Sequence, residues 1–528
     1  MPWCVGDVTP LRQWHGGEGG EAPGPLGAAV RARVRVMELR CPSLPARIAA
    51  VLALLAVAAL TAATPATDHA PLVSATSAMV EPEELVASDV SFRNGDVTVE
   101  GTVIAPASQG TDRPGIVLVP GSGEGVPREF YRPHAEAFAR AGIVALIYDK
   151  RTATEGYSLF KASLTDLADD AIAGVQLLRD RPDVDPDLVG VHGHSEGGWT
   201  VAVAGVRSLD VAFVVTSAAS ALAPERTQVW MNRTQLRHAG VAASLLRPLG
   251  ENLTRHLVGA GMFRLAGHDP MPPLEQLDQP VLGLFAEYDR STPPGESLRL
   301  FGQALHRGGN THYTLRVVNR ANHLMAPSGD GFDVDLAHAR QLHDFAPGYV
   351  ATVTAWVHGL AGGPPDPSAD PPPPQQHQSA PLAPLAASES PGVQLAALAL
   401  LALAFGAYPL TAAIGRLRSR RNPLPTRWPA RALATTGLAI PPLAICYLGL
   451  VMITGATAPG PVVAGHPLPW LVLQLAALGA AAATVALIAR WWRERRQLTP
   501  WTNARFGALV AGTAVFLPWA ASWGLFTL

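Results

Sequence analysis

Three long stretches without a charged residue occupy the end of the chain and limit what it can become: Gly392 to Ile414, residues 432 to 489, and Phe506 to Leu528. A helix of about 20 apolar residues matches the roughly 30 Å hydrocarbon core of a bilayer. The middle stretch is too long for one crossing and contains the Gly/Pro-rich segment Gly455 to Pro469, so it splits into spans near 432–453 and 469–489. Four membrane helices are therefore expected in residues 392–528, the second kinked at Pro441 and Pro442. Composition agrees: 48% of residues are hydrophobic and only 16% charged, against roughly 25% charged in an average soluble protein.

Charge sets the orientation. From residue 392 onward there are eleven Arg and one Glu, nearly all in two connections, Arg416 to Arg431 and Arg490 to Arg505. The positive-inside rule makes both connections cytoplasmic and places the chain before Gly392 outside. A second signal agrees. Residues Ile48 to Thr67 carry no charge and follow Arg31, Arg33, Arg35, Arg40 and Arg47, the layout of an export signal or membrane anchor, with residues 1–47 a basic, disordered N-terminus and Met37 an alternative start. With 40 basic against 42 acidic residues, a net charge of −2, the chain is no general nucleic-acid binder. Its three cysteines are too few for a disulfide scaffold, and none falls between 85 and 360.

Residues 362–391 form a Pro-rich polar tract that cannot build a core. It reads as a semi-rigid tether reaching about 90 Å at most, so the preceding domain need not touch the membrane.

Between 85 and 360 strand-length apolar runs alternate with amphipathic stretches, the pattern of a mostly parallel sheet with helices on both faces. An antiparallel start is expected at VASDVSF and DVTVEGTVIA, joined at Asn94-Gly95. Core strands follow at 115–120, 143–149, 188–193, 211–217, 280–287 and 314–319. Residues 221–279 separate two of them by too much for a structureless loop and predict a helical cap. Within it Trp230, Met231, Leu245, Leu246, Leu257 and Phe263 are candidate pocket residues. Asn232-Arg233-Thr234 and Asn252-Leu253-Thr254 match the glycosylation sequon.

At the end of LVGVHG the chain runs Gly193-His194-Ser195-Glu196-Gly197-Gly198, a G-x-S-x-G between a strand and a predicted helix. Such a turn is too tight for a Cβ at the two flanking glycines, and it presents the Ser195 hydroxyl above the sheet edge. The Glu196 amide then opens the helix N-terminus, where a developing oxyanion is stabilised. Serine needs a base and an orienting acid. Asp289, just after the strand PVLGLFAE, is the candidate acid, with Glu287 as rival and Asp333 and Asp335 late in the chain. His323, just after TLRVVN, is the candidate base; His192, His194, His312, His338 and His343 read as packing or surface residues. The turn Pro120 to Gly125 supplies a second oxyanion donor, the amide of Ser122, and lacks the G-K-[ST] of a phosphate loop. No metal-ligand spacing is present.

Residues 113–345 resemble the α/β-hydrolase family, in particular bacterial carboxylesterases and related serine peptidases, through VLVPGSG, ALIYDKR, LVGVHGHSEGG, PVLGLFAEYDRSTP and RANHL in family order. The resemblance implies a triad of Ser195, Asp289 and His323 acting on a small ester or acyl substrate, with no cofactor and no metal. Thr152-Ala153-Thr154 departs from the glycine-rich turn usual after YDKR. A thioesterase or peptidase would use the same triad. In a reading of another class the four spans are the working part, as a sensor, binding or transport module, yet they contain no internal Asp, Glu, Lys or Arg.

Overall fold

In the computed structural model the described residues are 84–108, 110–158, 160–333, 344–417 and 427–527. The basic N-terminus at 1–47, the export segment expected at 48–67, Asp335, His338 and His343 lie outside them.

Strands β1 (Leu85–Asn94) and β2 (Val97–Pro106) pair antiparallel along their whole length, Asn94 opposite Val97. The two-residue turn is thus Gly95-Asp96, one residue later than expected. Gly95 takes φ +58°, and Asn94 stays in the ladder with its side-chain amide donating to Asp170 Oδ1 at 2.8 Å. Then come β3 (Arg113–Val119), α1 (Arg132–Arg140), β4 (Val144–Tyr148), α2 (Leu164–Arg179), β5 (Val184–His194), α3 (Glu196–Arg207) and β6 (Val214–Ser217). The cap contributes α4 (Pro224–His238), α5 (Leu246–Gly250), α6 (Asn252–Gly259) and α7 (Met271–Glu275). The sheet resumes with β7 (Val281–Ala286), α8 (Pro294–Gly308), β8 (Tyr313–Val318) and α9 (Tyr349–Gly359).

The sheet order is β1-β2-β4-β3-β5-β6-β7-β8, antiparallel through the β2–β4 pair and parallel from β4 onward. This is the α/β-hydrolase fold. Alternation along one strand feeds both layers: Ile116 and Leu118 pack with Phe138 and Val353, whereas Val117 and Val119 pack with Ala171 and Val175. A parallel sheet covered on both faces has this double burial, and it holds the loops at the strand C-termini against a rigid base.

The Pro-rich tract is not a free tether. Ser368–Ala369 (β9) adds a parallel strand beside β8, and the tract then crosses the domain as a strap. Its polar groups complete the hydrogen bonding of charges that the globular part buries. Glu296 accepts from the Ser379 amide at 2.8 Å, Ser379 Oγ at 2.9 Å and Gln375 Nε2 at 2.7 Å. Arg255 donates to the Ala383 and Pro384 carbonyls, both at 2.9 Å, and pairs with Glu389 at 3.0 Å. Composition correctly denies such a segment a core of its own, but hydrogen bonds to a preformed surface need none.

Four helices, α10 (Pro391–Leu417), α11 (Arg427–Ile453), α12 (Leu468–Glu494) and α13 (Pro500–Ser522), are long and apolar enough to cross a membrane. A short hairpin, β10 (Val462–Val463) with β11 (His466–Pro467), joins α11 to α12. The last span starts and ends six residues earlier than the charge-free run suggests. The Thr499 side chain caps it by accepting from the Thr502 amide, with Pro500 at its first position. Arg505 is thereby inside the helix, donating to the Tyr408 carbonyl at 2.8 Å with its guanidinium 4.7 Å from the Tyr408 ring centre.

Cap and helical bundle share one apolar core. Leu236, Val241, Leu245, Leu246 and Leu249 cluster with Val451, Trp470, Trp519, Trp523 and Leu525. The Ala242 amide donates to the Gly465 carbonyl at 2.8 Å, Asn252 Nδ2 to the Ser522 carbonyl at 3.2 Å, and the His256 ring stacks 4.3 Å from Trp523. These bundle residues lie at the end of α11, in the β10–β11 hairpin, at the start of α12 or at and just past the end of α13, opposite the Arg-rich connections. The reach of the Pro-rich tract left the domain free to stand apart from these helices; in the structure the cap packs on them. Asn232 and Asn252 of the two sequons are both buried, which leaves no room for a glycan.

Candidate active site

The elbow forms because β5 runs straight into α3 with one residue between them. Ser195 occupies that position at φ 55°, ψ −117°, outside the ordinary allowed regions, a strain of about 1–3 kcal/mol typical of functional turns. The glycines are steric necessities. A Cβ at Gly193 would lie 2.2 Å from the Gly197 carbonyl oxygen, and one at Gly197 2.4 Å from the Val119 carbonyl oxygen. The second contact also shows how tightly the turn after β3 abuts the elbow.

Asp289 follows β7 and is fully buried. Its Oδ1 accepts the Ser291 and Thr292 amides, both at 2.8 Å, and its Oδ2 accepts the Thr292 hydroxyl at 2.7 Å. Burial raises its pKa, but His323 alongside and these donors outweigh burial and hold the carboxyl below its usual range. His323, in the loop after β8, donates from Nδ1 to Asp289 Oδ2 at 2.9 Å, and its Nε2 lies 3.1 Å from Ser195 Oγ. The three side chains thus meet from three separate strand ends. Neither rival carboxylate joins them: Glu287 accepts the Arg320 amide at 2.8 Å, and Asp333 accepts from Ser328 Oγ at 2.6 Å.

Among the described residues the amides of Glu196 and Ser122 donate to no group of the protein, whereas the neighbouring Gly121 amide is taken by Tyr131 Oη at 2.8 Å. The departure at Thr152 to Thr154 folds as a 3-10 turn with the Thr152–Glu155 capping box, and the Ala153 amide donates to Glu124 of the turn after β3 at 3.1 Å.

The side chain of Glu196 has a role that its place in the elbow does not announce. It is buried against Lys150 Nζ at 2.7 Å, Arg264 Nη2 at 2.5 Å and the Tyr157 hydroxyl at 2.9 Å. Burial pushes its carboxyl up, but the two cations pull it down further, so it is ionised. Lys150 also donates to the Gly121 carbonyl at 2.7 Å, tying the turn after β3 to the first residue of α3. The only sequence hint was Lys150 within ALIYDKR.

Trp230 and Met231 do not line a pocket at the triad. Trp230 is 1% exposed, donates its indole N–H to the His377 carbonyl of the strap at 2.8 Å and stacks on the His377 ring. Met231 packs against Gly455, where an added Cβ would stand 2.9 Å from its Cε. Leu245 and Leu246 belong to the core shared with the bundle. Trp230, Met231, Leu245 and Leu246 are thus taken up by the strap and the bundle, partners that the spacing of the cap alone does not reveal. Among the described residues no group of three or more His, Cys, Asp or Glu side chains is arranged to hold a metal ion.

No family model matches the sequence, and no curated protein is matched by it. Solved structures are similar over about half of this chain. A dienelactone hydrolase from Anabaena variabilis is 17% identical, with 53% of this chain and 98% of that chain covered and a TM-score of 0.33. An esterase from Pyrococcus furiosus is 16% identical, covering 49% and 88%, at 0.34. The acylaminoacyl peptidase of Pyrococcus horikoshii is 13% identical, covering 57% and 44%, at 0.36.

Proposed function

We propose that the chain is a membrane-anchored serine hydrolase that cleaves carboxylic esters outside the cytoplasm. The observation that carries this reading is the relay from Asp289 through His323 to Ser195, at 2.9 and 3.1 Å, on a strained elbow. His323 Nε2 takes the Ser195 proton as Oγ bonds to the ester carbonyl carbon. Asp289 keeps the Nδ1–H tautomer in place and stabilises the imidazolium. The unengaged amides of Glu196 and Ser122 receive the carbonyl oxygen as it becomes an anion. The imidazolium returns its proton to the departing alkoxide, leaving an acyl-serine. Water, deprotonated by the same nitrogen, then attacks the acyl carbon, and Ser195 regains its hydrogen as the acid departs.

A thioester or amide would follow the same steps with a different leaving group. The arginines support the location: Arg490, Arg493, Arg495 and Arg496 stand at one end of the bundle, and the cap meets the other. A fluorophosphonate probe on isolated membranes tests the reading. Labelling of the full-length protein that disappears in Ser195→Ala is expected. Folded wild-type protein that stays unlabelled contradicts it and favours a non-catalytic sensor or binding module.

A further inference from the structure

A chain of hydrogen bonds joins the turn after β3 to the loop that carries His323. The Gly121 amide donates to Tyr131 Oη at 2.8 Å, Tyr131 Oη lies 3.5 Å from His194 Nδ1, and His194 Nε2 lies 2.8 Å from the His323 carbonyl oxygen. The direction is forced at both ends, since an amide N–H only donates and a carbonyl only accepts. His194 Nε2 therefore carries the ring proton, and Nδ1 accepts from the Tyr131 hydroxyl. Tyr131 and His194 are 3% and 6% exposed, so water does not replace these bonds freely. Burial, with His323 nearby, lowers His194 to about 4, which keeps the ring neutral with one donor and one acceptor nitrogen.

The loop it holds needs support. Arg320 and Met325, on either side of His323, have φ of 52° and 59°, conformations that L-residues adopt at a cost. The turn at the other end is equally confined: a Cβ at Gly121 would stand 3.2 Å from the His194 carbonyl oxygen and 3.3 Å from Tyr131 Oη. His194 is also the residue directly before Ser195, so one residue joins the elbow, the turn after β3 and the His323 loop.

We infer that His194 is a positioning residue: its Nε2–H fixes the backbone of His323 in register with Ser195, and through Tyr131 it couples that loop to the Pro120–Gly125 turn. This rests on the esterase reading above.

The test compares His194→Gln with His194→Asn in full-length protein in nanodiscs, using p-nitrophenyl acetate. Gln places its amide N–H near the Nε2 position and keeps the bond to the His323 carbonyl; Asn reaches only as far as Nδ1. The Gln variant is expected within a few-fold of wild-type kcat. The Asn variant loses about 10- to 100-fold in kcat, with KM and melting temperature unchanged. Folded Gln and Asn variants with equal kcat overturn the inference. Tyr131→Phe, which removes only the hydroxyl, covers the case in which a His194 variant does not fold: reduced kcat is expected, and wild-type kcat overturns the coupling. Fluorophosphonate labelling of the wild type separates the two levels, because its failure sinks the hydrolase reading while its success with equal variants sinks only the role of His194.

Discussion

Arg264 Nη2, on the cap, lies 2.5 Å from Glu196 Oε2, the side chain directly after Ser195. One buried carboxylate therefore faces two cations, Lys150 from the end of β4 and Arg264 from the cap, beside the amide proposed to hold the oxyanion. Lys150 lies two residues past the end of β4, beside the rigid sheet. Arg264 sits in the loop between α6 and α7, with Leu265 and Gly267 both at positive φ. The cap is thus pinned to the elbow by Arg264 and to the helical bundle by its apolar core, in addition to its bonds to the strap.

Removing Lys150 should hurt more than removing Arg264. Lys150→Met leaves Glu196 with the Tyr157 hydroxyl and a single, partly exposed cation, and releases the Gly121 carbonyl, a loss of about 3–5 kcal/mol for a broken buried pair. Arg264→Ala leaves the Lys150 pair intact and should cost less stability while lowering kcat through a looser cap. Chemical unfolding and steady-state turnover of both variants check the order.

Stability should fall on mild acidification. Burial lowers His192 to about 3 and His194 to about 4, below the 6.5 of an exposed histidine. Between pH 6.5 and about 4 the unfolded chain binds protons that the folded core refuses. The stabilisation is complete above pH 6.5 and shrinks as pH drops, by about 1.4 kcal/mol per unit for each ring. Asp289, held below 3.8, adds its own loss only at lower pH. Melting temperatures at pH 7, 6 and 5 should descend; a flat series contradicts the assignment.

The strap should resist proteolysis despite its composition. Glu296, with 7% of its side chain exposed, gathers Arg226, Gln375 and Ser379. Glu296→Ala removes the acceptor for all three and should open residues 371–380 to a broad-specificity protease under conditions where the wild type is uncut there. Mass spectrometry of the fragments gives the cleavage sites.

Topology has a separate check. In otherwise cysteine-free protein, Thr457→Cys should react with a membrane-impermeant maleimide in intact cells, and Gln497→Cys only after permeabilisation. The reverse pattern would invert the proposed orientation.

The parts legible in the sequence were those whose physics is local. Gly193 and Gly197 declare the elbow around Ser195 because a Cβ at either would strike backbone, and Asp289 and His323 stand out because each sits in the loop that follows an apolar strand. The apolar runs also announce four helices long and apolar enough to cross a membrane. What the sequence hides depends on distant partners: Glu196 meets Lys150 across 46 positions, Trp230 meets His377 across 147, and the cap leucines meet bundle tryptophans. His194 reads as ordinary packing until the His323 carbonyl is placed against it. The strap misleads for a related reason, since Pro-rich composition speaks against a core but is silent about hydrogen bonds to another surface.

The most direct measurement is the intact mass of the full-length protein mixed rapidly with excess p-nitrophenyl ester, followed by peptide mapping. The account predicts one acyl group on the peptide containing Ser195, transient in the wild type and absent in Ser195→Ala. Ester turnover that persists in Ser195→Ala, or an adduct on any other residue, would contradict it.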